Sequence, residues 1–516
     1  MDGLTALRNT LLKLKKKEVS SLITFLNAYR KESSEEALKS IRLVKLLLKG
    51  KKYTSNEIQE ILYGKNNYHA FNKLVNRLKE KIREVLIFDS NLMIPNHYGK
   101  RNQTVFEIRK KLLQSEIMFY RGMNDELENF LNKIIKKTKE YEIYDSLLAA
   151  LDIKQRYRNF RFGIERNGKL KNEIEFYTLI RDKLIRAREI FYNLTAKINF
   201  SASNIEYQIE LESSLVLLQS DYESTKSPTI GYYYFLLQTE KYQNVNDLLS
   251  AQNILSKLVI LVRNSPSVYT NYTLGNTLLN FGNNELLMYN FSSSESNFHE
   301  AISYSGNSSV NNAVAKELRF HALFFSSQIV QSEKLIEELY HASRTSNTPF
   351  LYSKRAYLLA CVKTLNRDFE ASIELLKEVK EIEKDKEGWN IGVRILSCMN
   401  WIELENFEKA DREIEKLDRH IIRTMETKHV RKRDIVIKDI LLQLMQHGYD
   451  FKKCYKNQQN NFDLLESVDQ EYRWKIKSPE MLIFQEWFIS KVENRPYNLK
   501  KSIQREKEKN APLMNG

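Results

Sequence analysis

The chain is poor in the residues that turn and staple a fold. Of 516 residues, 15 are glycine, 7 proline and 3 cysteine, and glycine plus proline reach about a third of average usage. Sandwiches and barrels need a turn every 8–12 residues or so, so the shortage argues against both. Collagen-like, linker-like and disulfide-framework chains are excluded on the same counts. The three cysteines, Cys361, Cys398 and Cys454, form no CxxC pair. An odd and sparse set fits a reducing compartment. No run approaches 18 consecutive apolar residues, and the stretch MDGLTALRNTLLKLKKKEV holds no apolar core of signal-peptide length. The expected address is the cytoplasm, with no membrane partner.

Signatures of chemistry are missing too. There is no GxxxxGK[ST] phosphate loop, no GxGxxG after a strand and no GxSxG elbow. The eight histidines are dispersed, with no HExxH. His420 and His429 flank IIRTMETK, and Cys454 lies seven residues after His447; neither spacing makes a zinc site. The expectation is a protein that is not an enzyme and has no cofactor or metal.

Hydrophobic residues make up 42% and charged residues 28%, enough to bury a core. The expected fold is all-α. The net charge of +15 sits mostly at the ends: residues 1–111 carry +13, residues 491–516 carry +4, and the stretch between carries −2. Basic ends attract nucleic acid, anionic membrane or acidic protein; solvated helix faces give the same composition.

The second half repeats. Arg367-Asp368-Phe369-Glu370-Ala371 and Glu405-Asn406-Phe407-Glu408-Lys409-Ala410 read alike, and the register extends back through Ile329, Phe291 and Leu248. The five anchors 248, 291, 329, 369 and 407 are spaced 43, 38, 40 and 38. Three residues after each anchor lies a small one: Ala251, Ser294, Ser332, Ser372 and Ala410. Seven residues after lie Leu255, Phe298, Ile336, Leu376 and Ile414, and ten after lie Leu258, Ala301, Leu339, Val379 and Leu417. Offsets 0, 3, 7 and 10 form one helical stripe. A fixed small residue on that stripe predicts another helix crossing close by.

This pattern resembles the second helix of the tetratricopeptide repeat (TPR), over about residues 230–425. Small residues near the matching first-helix position occur in three copies, as Gly282, Ala360 and Cys398, and Pro266 and Pro349 follow two second helices. The resemblance implies a right-handed α-solenoid of helix pairs with a concave groove for a protein or peptide. Such arrays stack because one pair cannot bury its apolar face alone.

The rest is helical by pattern. Residues 105–228 read as degenerate helix pairs ending at a joint, Ser224–Pro228; 229–425 hold the repeat array; 426–491 continue as helices; and 492–516 read as a polar, lysine-rich, disordered tail. The run Arg156-Tyr157-Arg158-Asn159-Phe160-Arg161-Phe162 interleaves aromatics with cations, as a single-strand nucleic-acid surface would. A helix end packing its aromatics inward explains it better.

Residues 1–104 form a basic head. Ser33-Ser34-Glu35-Glu36 caps one helix stopped by Gly50, Thr54 or Ser55 caps a second stopped by Gly64, and YHAFNKLVNRLKEKIREVLIF makes a third. This succession resembles a helix-turn-helix or winged-helix domain, although no alternating hairpin follows. The third helix puts Phe71, Leu74, Val75, Leu78, Ile82 and Val85 on one face, and Asn72, Lys73, Asn76, Lys79 and Arg83 on the other. The resemblance implies that Lys73, Asn76, Lys79 and Arg83, with Lys51 and Lys52, would meet nucleic acid. Two functions follow: a non-enzymatic scaffold holding a peptide or protein in its groove, or a regulator with a nucleic-acid-binding head and a peptide-sensing or dimerising array.

Overall fold

The computed structural model describes residues 3–14, 16–28, 35–49, 53–88, 99–163, 168–201, 205–306, 310–344, 349–381, 385, 388–426 and 430–514. Regular structure in these residues is helical, with no strand among them. None of these helices is long and apolar enough to cross a membrane. The chain divides into two compact units, Met1–Thr178 and Leu179–Gly516. The division falls inside a helix, Gly168–Ser201.

The first unit begins with α1 (Gly3–Lys13), α2 (Lys16–Ala28), α3 (Glu35–Leu48), α4 (Ser55–Tyr63) and α5 (Tyr68–Phe88). Thr54 caps α4 in a reciprocal box with Glu57, and Gly64 ends it at φ 71°, a left-handed turn that glycine takes without strain. Phe71, Leu74, Val75, Leu78, Ile82 and Val85 of α5 are all buried, against α1, α2 and α3. The proposed cap at Ser33-Ser34 and the stop at Gly50 lie outside the described residues. Next come α6 (Gly99–Tyr120), α7 (Asn124–Glu140) and α8 (Tyr144–Phe162), which pack on one another. In the aromatic–cation run at the end of α8, Tyr157 is buried, Phe160 and Phe162 are exposed, and Arg156 and Arg158 are paired with Asp152 and Glu128. Only Tyr157 therefore packs inward as expected.

From α9 (Gly168–Ser201), which crosses into the second unit, the order is α10 (Ile205–Thr225), α11 (Pro228–Asn244), α12 (Leu248–Asn264), α13 (Asn271–Leu287), α14 (Phe291–Tyr304), α15 (Val310–Phe325), α16 (Ile329–Ser343), α17 (Pro349–Leu365), α18 (Phe369–Lys377), α19 (Trp389–Glu403) and α20 (Phe407–Met425). The chain ends with α21 (Lys432–Gln446), α22 (Phe451–Asn457), α23 (Gln459–Glu466), α24 (Phe484–Val492) and α25 (Leu499–Met514). Each of the five anchors opens a helix: α12, α14, α16, α18 and α20. Each small residue of the register is fully buried. The helix before each anchor packs on the anchored helix, and successive pairs pack in chain order. The second unit is thus a TPR-like array of stacked helix pairs.

One turn recurs between the helices of each pair. Two residues before each anchor, Asn246, Tyr289, Ser327, Arg367 and Glu405 adopt positive φ of 54–64°. One residue on, the amides of Asp247, Asn290, Gln328, Asp368 and Asn406 donate to carbonyls five residues back, at 2.9–3.1 Å. This is a Schellman ending, which satisfies the last carbonyls of the first helix. The side chains of Asp247, Asp368 and Asn406 then cap the second helix. The turn is short and the helices touch, so each pair is antiparallel.

The small positions work as close contacts. Ser294 Oγ donates to the Gly282 carbonyl at 2.8 Å, and Ser372 Oγ to the Ala360 carbonyl at 2.9 Å. A Cβ at Gly282 would come within 2.8 Å of the Phe298 ring, so α13 and α14 approach closely only because both crossing residues are small.

The expected disordered tail is corrected by α25. Its lysine-rich sequence hides a stripe at Leu499, Ser502, Ile503, Glu506 and Asn510, all buried. Asn510 Nδ2 donates to the Tyr289 hydroxyl at 3.3 Å, which ties the end of the chain to the turn before α14.

Candidate functional site: the inner face of the repeat array

In each pair the first helices are α11, α13, α15, α17 and α19. Among the first helices α13 touches α15 and α17 touches α19, while no two second helices of the array approach as closely as these. The first helices share one side of the array, its inner face.

That side is largely filled by the chain itself. Residues 467–483 run in irregular conformation between α23 and α24. Trp474 is 1% exposed and packs edge-on against Phe325 of α15 and tilted on Tyr289. The Tyr357 hydroxyl of α17 donates to the Pro479 carbonyl at 2.6 Å. On α19, a Cβ at Gly392 would come within 2.9 Å of Pro479, so this glycine admits the crossing segment. Arg433 of α21, 2% exposed, holds the segment by both carboxylate oxygens of Glu480, at 2.6 and 2.8 Å, and by the Tyr472 carbonyl, and it also reaches the Leu465 carbonyl near the end of α23.

A cavity of about 400 Å³ remains open beside this segment. One stripe of α15 supplies Val310, Val314, Glu317 and His321, α17 supplies Lys354 and Arg355, and Trp389 and Lys477 close it. Val310 and Val314 stand exposed at 79% and 45%. Glu317 pairs with Lys354 at 2.5 Å and lies 3.9 Å from Arg355. The Lys354 ammonium also sits 4.8 Å from the Trp389 ring centre, in cation–π range. Burial, aided by the charges of Lys354 and Lys477, pulls the His321 imidazole down to about 3, so it is neutral at pH 7. His321 Nδ1 and Arg355 Nε are both buried with no hydrogen-bond partner. Arg355 spends another nitrogen on the Leu339 carbonyl at 3.1 Å. The arrangement offers an apolar wall, two unmet polar atoms and two ammonium groups. It can grip a polar or anionic group attached to an apolar side chain.

Elsewhere the described residues gather no set of three or more His, Cys, Asp or Glu side chains able to hold a metal. All three cysteines are buried, and burial pushes their thiols up, Cys454 to about 11. On α5, Lys73, Asn76 and Arg83 are exposed and Lys79 is half-buried. Arg83 is paired with Glu80, and Lys79 Nζ lies beside Gly3 of α1. Lys51 and Lys52 lie outside the described residues. The sequence reading missed the residues of the inner cavity. The available signal was a lone histidine in the apolar run Phe320-His321-Ala322-Leu323-Phe324-Phe325.

No family model matches the chain, and no curated protein matches its sequence. Among solved structures, the chain is similar to the apo form of RapI at 13% identity, with a TM-score of 0.46, over 79% of this chain and 99% of that one. It is also similar to a signal transduction ATPase with numerous domains (STAND) protein with a tetratricopeptide repeat sensor, from Pyrococcus horikoshii. That match has 13% identity and a TM-score of 0.32, over 96% of this chain and 66% of the other.

Proposed function

We propose that the chain is a non-catalytic scaffold that binds a peptide or protein at the inner face of its array, in the cavity between α15, α17 and α19. The observation that carries this reading is the pair of unmet buried atoms, His321 Nδ1 and Arg355 Nε, on the wall of one cavity. Buried polar atoms are normally hydrogen-bonded, and leaving one unmet costs about 1–3 kcal/mol. A peptide backbone or polar side chain that enters the cavity meets both once the His321 and Arg355 side chains turn toward it, while Val310 and Val314 at the mouth take its apolar neighbour. The chain's own segment limits the site to a few residues of partner. The test is selection of peptides from a random display library on the full chain. Selected peptides should bind Val314→Arg at least about tenfold more weakly, because the new side chain fills the mouth where the partner's apolar neighbour would sit. Selection of no peptide, or equal binding to the variant, ends this reading.

A second reading is favoured by the head. Lys73 and Asn76 lie exposed on α5, opposite its buried stripe, where a nucleic-acid backbone could meet them. Phosphate contacts release counterions, so affinity should fall with salt at a log–log slope of about −0.9 per phosphate. Lys73→Ala with Arg83→Ala should flatten that slope by about two with the fold intact. Absence of binding to duplex and single strands at low salt removes the regulator reading and leaves the scaffold.

A further inference from the structure

The second helices of the array have 14 to 19 residues, except α18, which stops at Lys377 after nine. The missing turns uncover one flank of α19. Asn390, Arg394, Ser397 and Trp401, spaced three and four apart, and Val393 beside them line a hollow of about 390 Å³ between α18 and α20. This is the flank away from Gly392 and the crossing segment, so the hollow is separate from the inner cavity. Ile373, Leu376 and Val393 make its apolar floor.

One cationic group lining this hollow is unmet. Arg394 Nε is buried with no hydrogen-bond partner, and its guanidinium makes no ion pair among the described residues. His420 of α20 has a side chain 8% exposed, and its Nδ1 likewise has no hydrogen-bond partner. That nitrogen lies 3.7 Å from Glu381 Oε1, on the wall of the hollow. Burial, and next the charge of Arg394, hold the His420 imidazole below its usual value against the opposing pull of Glu381. Charge around the hollow is not balanced. Lys416 is paired with Glu413 and Lys377 with Glu374, while exposed Lys380 lines the rim without a carboxylate partner among the described residues. Trp401 carries the Lys409 ammonium 4.3 Å from its ring centre and also borders the hollow.

We infer that this hollow binds an oxyanion, carboxylate or phosphate, carried on a small apolar or aromatic body. Arg394 is the anion contact, Lys380 flanks it, and Val393, Ile373 and Trp401 receive the body. A guanidinium with a free edge suits a planar or tetrahedral oxyanion. The volume lies near the lower end of the ligand-pocket range of about 300–1,000 Å³, which fits a small molecule and not a folded partner.

Calorimetric titration of the full chain with phenyl phosphate, phenylacetate, inorganic phosphate and neutral benzyl alcohol tests this. Saturable binding of one or both aryl oxyanions is expected, with none for benzyl alcohol; the tighter of the two names the source of the anion. Loss of a charged hydrogen bond should make Arg394→Gln bind about tenfold more weakly or worse. If that variant fails to fold, Lys380→Gln, at an exposed position, should weaken binding about threefold. Val314→Arg, in the inner cavity, should leave this binding unchanged, so failure here is distinct from failure of the peptide site. No saturable binding, equal binding to both hollow variants, or loss confined to Val314→Arg overturns the inference.

Discussion

Arg433 shows how one residue holds distant parts of the chain together. Its guanidinium reaches Glu480, Gln485 and two backbone carbonyls, so α21, α24 and the segment between α23 and α24 meet at one buried charge. A buried pair earns little net stability against a well-packed apolar replacement, but removing one partner leaves the other charge stranded. Arg433→Met should therefore cost about 3–5 kcal/mol, read as a shift in the denaturation midpoint at constant slope. Arg433→Met combined with Glu480→Leu should recover a large share of that loss, because no charge is then left unpaired. A single variant as stable as the parent would show that Glu480 finds water or another cation, and that the cluster does not anchor the segment.

At the scale of the helix pair, the informative part of the sequence was the second helix. Its anchor, small residue and apolar positions are read along a single turn-and-helix, so they are local and legible, and all five anchors open helices. The turn itself was half legible. Asp or Asn precedes four of the five anchors, and that same signal stands in Tyr449-Asp450-Phe451, with Cys454 three residues on and fully buried. The pair of α21 and α22 thus continues the pattern, hidden in the sequence because Gln458 stands where the other copies carry a large apolar residue. The first helices were not legible, since they meet different partners in every pair: Phe320 occupies in α15 the place that Gly282 and Ala360 hold in α13 and α17. The strained turn gives a direct test. Glu405 is exposed at φ 54°, a conformation that costs an L-residue roughly 1–2 kcal/mol. Glycine avoids that strain but loses about 0.4–1 kcal/mol through its freer unfolded chain. Glu405→Gly should raise stability by about 0.5–1 kcal/mol, and Glu405→Val should lower it, β-branching being least tolerant there. The order Gly above Glu above Val in thermal midpoint checks the turn, and any other order argues against it.

Across the second unit, the decisive long-range feature is the chain's own segment on the inner face. Nothing local announces it: residues 467–483 mix charged and apolar residues without a period, and α25 looks like a solvated tail. Their burial depends on Tyr289, Phe325, Tyr357 and Gly392, which lie roughly 90 to 220 residues away in sequence. Helical arrays are stabilised mainly by neighbour-to-neighbour contacts, so damage to one stretch stays near it. The crossing segment breaks that rule, because it bonds to α17 and packs on α15 and α19 at once. A chain ending after Glu466 should therefore lose amide-exchange protection in α15, α17, α19 and α21 together. Protection in α10, α11 and α12, whose buried set includes Leu211, Leu218, Leu237 and Leu255, should stay near that of the full chain. The truncated protein should also bind an apolar dye, since the faces around Phe325 and Trp389 lose their cover. Uniform loss over the whole unit would mean that the array unfolds as one block. No loss in α15 through α21 would mean that the segment merely rests on a surface already stable without it, and a longer stretch of the inner face would then be open to a partner.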